Sequence, residues 1–309
     1  MALGTNHVTN TTAGTFIPEL WSDEIIAAYK KNLVMANLVS KMSFKGKKGD
    51  TLHIPKPTRG TASAKAASTQ VTLQAATESE VQVLVNKHYE YSRLIEDITE
   101  AQALASLRQF YTGDAGYALA KQVDTDLIRL GRLVQGGTDG GGIKDDYAKA
   151  VLGGDGSTPY VDGTNVGTAL TDAGLRRIIQ RLDDADVPMD GRVLVIPPSA
   201  RNTLMGLSRF TEQAFVGEVG GGNTIRNGQI GDLYGVKVFV TTNCDTATTD
   251  TTRIGLMFTK DAFVLAEQMG VRSQTQYKQE YLGTLFTSDM LYGVAELRDE
   301  AAVSIALPA

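Results

Sequence analysis

The sequence has one cysteine, Cys244, and three scattered histidines, His7, His53 and His88, in 309 residues. A lone thiol forms no intrachain disulfide and reads as a small packed hydrophobe. The histidines are too far apart along the chain to share a metal-ligand spacing. No run approaches the ~18 consecutive apolar residues of a membrane span. The first residues lack the basic-then-apolar pattern of a secretion signal; Thr5 to Thr15 is polar and rich in Thr, Asn and Gly. A phosphate-binding GxxxxGK[ST] string is missing. Gly46-Lys47-Lys48-Gly49 has no Ser or Thr after its lysine, and Gly217 to Gly222 stands between loops, not between a strand and a helix. Asp155-Gly156-Ser157 lacks the spacing of a calcium loop, and Ser199 does not sit in a GxSxG elbow. Asp145-Asp146 and Asp183-Asp184-Asp186 read as solvated carboxylates. The reading therefore assigns no catalytic, cofactor-binding or metal-ligating residue and expects no enzyme. The net charge is −5 and the pI about 5.3, without the basic excess of a protein that grips nucleic acid.

What the chain does have is one over-long amphipathic stretch. From Ile98 to Val134 an apolar residue recurs every three or four positions. Leu119, Val123, Leu127, Leu130 and Val134 form one stripe, with Lys121, Asp124, Asp126 and Arg129 off it. An unbroken helix over this span would be on the order of 55 Å long, more than a small domain needs for its own core. It reads as a strut crossing a flat subunit made to tile with its copies. Gly113 and Gly116 interrupt the pattern at ~1 kcal/mol each relative to Ala, and predict a kink between Thr112 and Gly116.

Other segments also look built for neighbours. Residues 1–17 have no periodicity and few charges, and read as an extended arm. Pro18-Glu19 opens a helix to about Leu33, with Trp21 on its apolar face. After Lys45-Gly46-Lys47-Lys48-Gly49-Asp50, a short strand at Thr51–Pro55 and an alternating strand at Val81–Arg93 enclose some 25 small polar residues. Ordinary hairpins close in about 2–5 residues. The tip of this one has no core of its own and is expected to gain stability by lying on a neighbour. Lys41, Lys45, Lys47, Lys48, Lys56, Arg59 and Lys65 make this region basic. Their expected partners are an acidic surface, from Asp183–Asp186, Glu267, Glu280, Glu296 or Glu300, or a polyanion.

A compact α/β unit follows. Asp172–Asp186 is a patterned helix with Thr171 as N-cap, and Val193–Ile196 a strand buried on both faces. Pro197-Pro198 leads into a short helix over Ser199–Leu207. Strands are expected over Gly231–Thr242, Ile254–Phe258, Ala262–Ala266, Val271–Tyr277, Met290–Arg298 and Ala302–Leu307.

The order of these parts resembles the HK97-type major capsid proteins of tailed phages. Gly49-Asp50-Thr51-Leu52-His53-Ile54-Pro55 resembles the family's lead-in to its E-loop. Val193 to Pro198 is similar to its A-domain strand. Gly228-Gln229-Ile230-Gly231-Asp232-Leu233-Tyr234-Gly235-Val236-Lys237-Val238 resembles its G-x-IG segment, and Ala262 to Ala266 its P-domain sheet. The resemblance implies an α+β, HK97-like capsid fold divided as follows: 1–17 N-terminal arm, 18–43 N-terminal helix region, 44–94 E-loop β-hairpin, 95–164 P-domain with spine helix and following loop, 165–252 A-domain, and 253–309 return strands of both domains. It implies a major capsid protein, assembling as pentamers and hexamers into an icosahedral shell around double-stranded DNA without sequence-specific binding. Expected partners are copies of itself, a separate scaffolding protein, a portal protein and a decoration or cement protein. The expected location is the virion capsid, assembled in the host bacterial cytoplasm, with no membrane and no cofactor. Expected assembly contacts are Lys45, Lys47, Lys48, Lys56, Arg59 and Lys65 on the E-loop, and Phe16 and Trp21 anchoring the N-arm; Gly113 and Gly116 are the expected hinge. An encapsulin-type compartment shares the fold and is one alternative reading. A nucleotide-binding α/β enzyme centred on 165–242 is the other.

Overall fold

The computed structural model describes residues 33–43, 45–46, 48–56, 60–71, 73, 78–97, 106–137, 147, 149–207, 232–247 and 251–309. In chain order the elements are α1 (Met35–Leu38), β1 (Ser40–Ser43), β2 (Thr51–Lys56), β3 (Ser79–Leu84), β4 (Lys87–Glu96), α2 (Ser106–Arg129), β5 (Val151–Leu152), α3 (Asp172–Asp184), β6 (Arg192–Ile196), α4 (Pro198–Met205), β7 (Asp232–Leu233), β8 (Val236–Val240), β9 (Arg253–Thr259), β10 (Phe263–Lys278), β11 (Gly283–Glu296) and β12 (Ala302–Leu307).

They form three sheets: a four-stranded sheet ordered β1-β10-β11-β4, a six-stranded sheet ordered β5-β12-β9-β6-β8-β7, and the two-stranded hairpin β2-β3. The long helix α2 joins the larger two. The expected stripe is the buried face of α2 and of the turns that follow it: Leu119, Val123, Leu127, Leu130 and Val134 are all buried. They pack with Val193, Val195, Leu256 and Phe258 of the six-stranded sheet and with Phe263, Leu265, Met290 and Tyr292 of the four-stranded one. One core thus spans both sheets. A second core lies between α3, α4 and the six-stranded sheet, around Leu175, Ile178, Leu182, Leu194 and Met257.

β6 is buried at every position, as its unbroken apolar run predicts, because it lies between β9 and β8. Thr171 caps α3, its hydroxyl accepting from the Gly174 N–H at 3.1 Å. Tyr234 and Gly235, with φ of 52° and 78°, make the two-residue turn between β7 and β8 that right-handed strand twist favours.

The structure departs from expectation in four places. α2 is described as 24 residues, Ser106–Arg129, running on into a 3₁₀ turn at Leu130–Arg132. It is about 36 Å long and continues through Gly113 and Gly116 without the expected break. Neither glycine would meet anything within 4 Å if given a Cβ, so the pattern gap reflects an exposed face and not a kink. Residues 98–105, and most of the helix expected to end near Leu33, lie outside the described residues. The Val81–Arg93 strand is two strands in two sheets. β3 pairs with β2 and β4 pairs with β11, although the in–out alternation carries across the Val85-Asn86 junction. The segments expected as separate strands at 262–266 and 271–277 are one 16-residue strand, β10, whose register shifts between Glu267 and Arg272 mimic a turn signal. Finally, Asp183 is not simply solvated, since its carboxylate pairs with buried Arg192 at 2.7 Å.

Gly113→Ala and Gly116→Ala should each stabilise the soluble subunit, by up to about 1 kcal/mol, because helix propensity improves and no contact is created. Urea unfolding followed by circular dichroism reads this directly.

Candidate assembly interface

Three regions converge on the C-terminal part of α2 through two carboxylates that sequence reading placed off the buried stripe. Asp124 and Asp126 are both buried. Asp124 accepts backbone N–H groups from Val34 and Met35 at 3.1 and 2.8 Å, and the Asn243 amide at 2.9 Å. Burial pushes its pKa above the ordinary carboxylate value, against these hydrogen bonds, which favour the charge. Asp126 accepts the Tyr292 hydroxyl at 2.6 Å and faces the Lys87 ammonium at 3.2 Å. One helical turn therefore holds the N-terminal segment, the loop after β8, the four-stranded sheet and the root of β4. A third polar knot joins the end of the helical segment to the six-stranded sheet: Arg132 contacts Asp245 at 2.9 Å, and Tyr147 donates to the same carboxylate at 2.7 Å.

From this frame the hairpin β2-β3 projects. Its root has a small core that the sequence reading did not foresee. Val83 and Val85 are buried with Val264 and Ala266, and Leu52, Ile54, Ala295 and Leu297 pack around them. The approach is close enough that a Cβ on Gly293 would lie 2.3 Å from the Leu84 carbonyl oxygen. Beyond this root the support ends. Residues 60–71 are exposed throughout, as is Leu73 at 92%, so the tip lacks a core as expected.

The expected contact residues fall into distinct settings. Lys45, Lys48, Lys56 and Lys65 are exposed. Lys45 lies 3.8 Å from Glu267 of its own chain, so one of the acidic partners expected on a neighbour is met internally. Lys56 closes β2 beside a groove lined by Asp186, Asp190, Asp261, Arg298, Asp299 and Glu300. Lys65 stands on the bare tip. Lys47, Arg59, Phe16 and Trp21 lie outside the described residues. Gly113 and Gly116 are on the solvent side of α2.

The residues weighed for chemistry have structural tasks. Ser199 donates to the Pro308 carbonyl at 2.6 Å. Asp155 accepts the Ser157 and Thr158 N–H groups, both at 2.9 Å, closing a turn. Burial pushes the Cys244 thiol up to about 12, which leaves almost no thiolate at neutral pH. Among the described residues no group of three acidic, His or Cys side chains is placed to hold a metal ion, and no helix is long and apolar enough to cross a membrane. Asp145-Asp146 and Gly217–Gly222 lie outside the described residues.

A subunit whose two larger sheets share a core, with an arm packed at its root and bare at its tip, has the construction of a shell-forming protein. Comparison with known proteins agrees. A sequence model of the phage capsid protein family matches residues 21–307, and the chain belongs to that family. Its architecture is the HK97-type capsid fold, and its role is structural and not enzymatic. A structure from Mycobacterium phage Che8 is matched at 23% identity and a TM-score of 0.74, over 94% of this chain and 97% of that one. The capsid of cyanophage P-SCSP1u gives 19% identity and a TM-score of 0.72, over 99% and 96%. The capsid of cyanophage Pam1 gives 14% and 0.75, over 99% of both. No curated protein matches the sequence.

Glu296, at the end of β11, is the group most sensitive to pH at the hairpin root. Burial, then the charge of Asp299, raises its pKa from 4.5 to about 7, with Lys56 pulling the other way. Its Oε1 is buried without a hydrogen-bond partner. Because the folded pKa exceeds the unfolded one, stability from this group is full below about pH 4.5 and is lost as pH rises through 7. Glu296→Gln should flatten that slope and stabilise the subunit at pH 8 by about 1–3 kcal/mol. Thermal unfolding of wild type and variant across pH 5–8 checks it.

Proposed function

We propose that this phage capsid protein is the major subunit of a tailed-phage head, forming pentamers and hexamers that close into an icosahedral shell around double-stranded DNA. The observation that carries the reading is the match to the capsid family over residues 21–307, joined to a hairpin whose root is packed and whose tip is not. Residues 60–71 are exposed throughout, with mostly small side chains. A stable interface buries on the order of 1,600 Å², and an arm of this kind supplies area that the compact body lacks. Lys48, Lys56 and Lys65, with Lys47 and Arg59, are proposed as its contact residues toward neighbouring copies. Phe16 and Trp21 are proposed to anchor the N-terminal arm. The proposed division is into arm (1–17), N-terminal helix region (18–43), E-loop (44–94), P-domain with spine helix (95–164), A-domain (165–252) and return strands (253–309). β4, mostly within 44–94, pairs with β11 of the four-stranded sheet. β5, within 95–164, pairs with β12 of the six-stranded sheet.

An acidic subunit suits a container for DNA, since a shell must not bind its cargo too tightly. Assembly in the host bacterial cytoplasm, with a separate scaffolding protein, a portal protein and a decoration or cement protein as partners, completes the proposal. Gly113 and Gly116 are proposed as points where the exposed face of α2 yields between precursor and mature shells. No observation favours the encapsulin-type or nucleotide-binding readings.

Expressed with its scaffold, the protein should sediment as megadalton particles, and deletion of residues 57–79 should leave the α/β unit folded while reducing particle yield or thermal stability several-fold. Analytical ultracentrifugation and negative-stain microscopy read both. A monomer under every assembly condition removes the proposal, and undiminished shells without residues 57–79 remove the role given to the arm.

A further inference from the structure

The short helix α1 begins without a cap of its own. A helix opens with four backbone N–H groups that have no partner inside it, and α1 is only four residues long. Val34, at its N-cap position, makes no side-chain capping bond. The acceptor comes instead from α2: Asp124 Oδ1 takes the Val34 N–H at 3.1 Å and the Met35 N–H at 2.8 Å. Its second oxygen faces the loop after β8. Asp124 Oδ2 accepts from the Asn243 amide at 2.9 Å, and the same amide reaches the Thr125 hydroxyl at 3.2 Å. Asp124 is 1% exposed, so its oxygens are held by these donors and not by bulk solvent.

The loop from Thr241 to Ala247 lies over the helical segment as a strap fastened at two points. Its first half is fastened at Asp124 and Thr125 through Asn243. Its second half is fastened at Arg132, whose Nε and Nη2 lie 3.0 and 2.9 Å from Asp245, and at Tyr147, 2.7 Å from the same carboxylate. Asp124 and Arg132 stand about 12 Å apart along the helical segment. The first half also closes the end of the six-stranded sheet. The Thr241 N–H donates to the Ile196 carbonyl at 3.1 Å, where β6 ends, and the Asn243 N–H donates to the Thr241 hydroxyl at 3.1 Å.

One buried carboxylate therefore serves two segments, and its state depends on both. A buried acceptor that loses part of its donor set must be rehydrated or stay unsatisfied. If Val34–Val39 lifts away, Met35 and Val39 leave the core that α2 shares with both larger sheets, and water reaches Asp124. Hydration then competes with Asn243 for the same carboxylate. If Asn243 lets go first, the carboxylate turns toward solvent and loosens its hold on α1. Coupling of this kind is reciprocal.

We propose that Asp124 is a shared latch: release of the N-terminal segment Val34–Val39 releases the strap at Thr241–Cys244, and release of the strap releases the segment, while Asp245–Ala247 stays fastened at Arg132. The coupling belongs to the single subunit and goes beyond the shell reading. A pull on the chain ahead of Val34 is thereby felt where β6 and β8 end.

Amide hydrogen exchange of the full chain tests the latch. Met35→Ala loosens the segment but keeps the backbone N–H that Asp124 accepts. In the otherwise unsubstituted chain it should speed exchange at Thr241–Cys244 by about tenfold and leave Asp245–Ala247 unchanged. Asp124→Asn cuts the strap side of the latch: its Oδ1 still accepts from Val34 and Met35, but its Nδ2 meets the Asn243 Nδ2, donor against donor. In that background Met35→Ala should no longer alter exchange at Thr241–Cys244. Adding Asn243→Asp restores a donor and an acceptor in the reverse sense, and the response should return. A strap that ignores Met35→Ala in the unsubstituted background overturns the proposal. A response shared equally by Asp245–Ala247 marks general loosening and overturns it too. So does a response that persists in Asp124→Asn, which places the coupling in the apolar core around Cys244, or one that fails to return with Asn243→Asp. Should the variants not fold, the unsubstituted chain in low denaturant decides. Val34–Val39 and Thr241–Cys244 should then share one opening step below global unfolding, and opening of either without the other overturns the latch. None of these outcomes depends on whether the protein forms shells.

Discussion

The subunit depends on two carboxylates one helical turn from the centre of its core. Burying an unpaired carboxylate is among the costlier things a fold can do. Asp124 and Asp126 are buried only because each is surrounded by donors that nothing else in the chain would bring together. Val34, Met35 and Asn243 converge on one, and Tyr292 and Lys87 on the other. These donors come from the start of the described chain, the six-stranded sheet's loop, and strands β11 and β4 of the four-stranded sheet. Hydrogen bonds to charged groups are directional and roughly twice as strong as neutral ones. The apolar stripe of α2 could slide by a turn against two sheets, but this pair of carboxylates fixes its register. The hairpin leaves from Lys87, so its direction is fixed by the same helix.

Position along α2 divides the labour. Its lower half, from Leu119 on, is buried and clamped by carboxylates. Its upper part carries Gly113 and Gly116 on an open face where a side chain would touch nothing. Glycine costs helix stability at both sites and gains no packing in this conformation. Contrast Gly293, where the Leu84 backbone leaves no room for a Cβ: there glycine is required by the subunit itself. The glycines of α2 have no such reason within one chain, which is what gives the proposed hinge its physical content.

Much of this was legible in the sequence because periodicity reports burial. The stripe Leu119–Val134, the buried run Val193–Ile196, the cap at Thr171 and the bare hairpin tip all follow from local pattern, and the order of the parts carried the family resemblance. What local pattern hid was partnership. The alternation over Val81–Arg93 stays in phase through Asn86 although the strand changes sheets there, so period alone could not show the change. Lys45 reads as a free basic residue, because Glu267 is more than two hundred positions away. Asp124 and Asp126 look like the polar face of an amphipathic helix, since their donors are scattered across the chain. The same distance effect made β10 look like two strands: its register shifts near Met269 and Gly270 resemble a turn until β11 is seen running alongside.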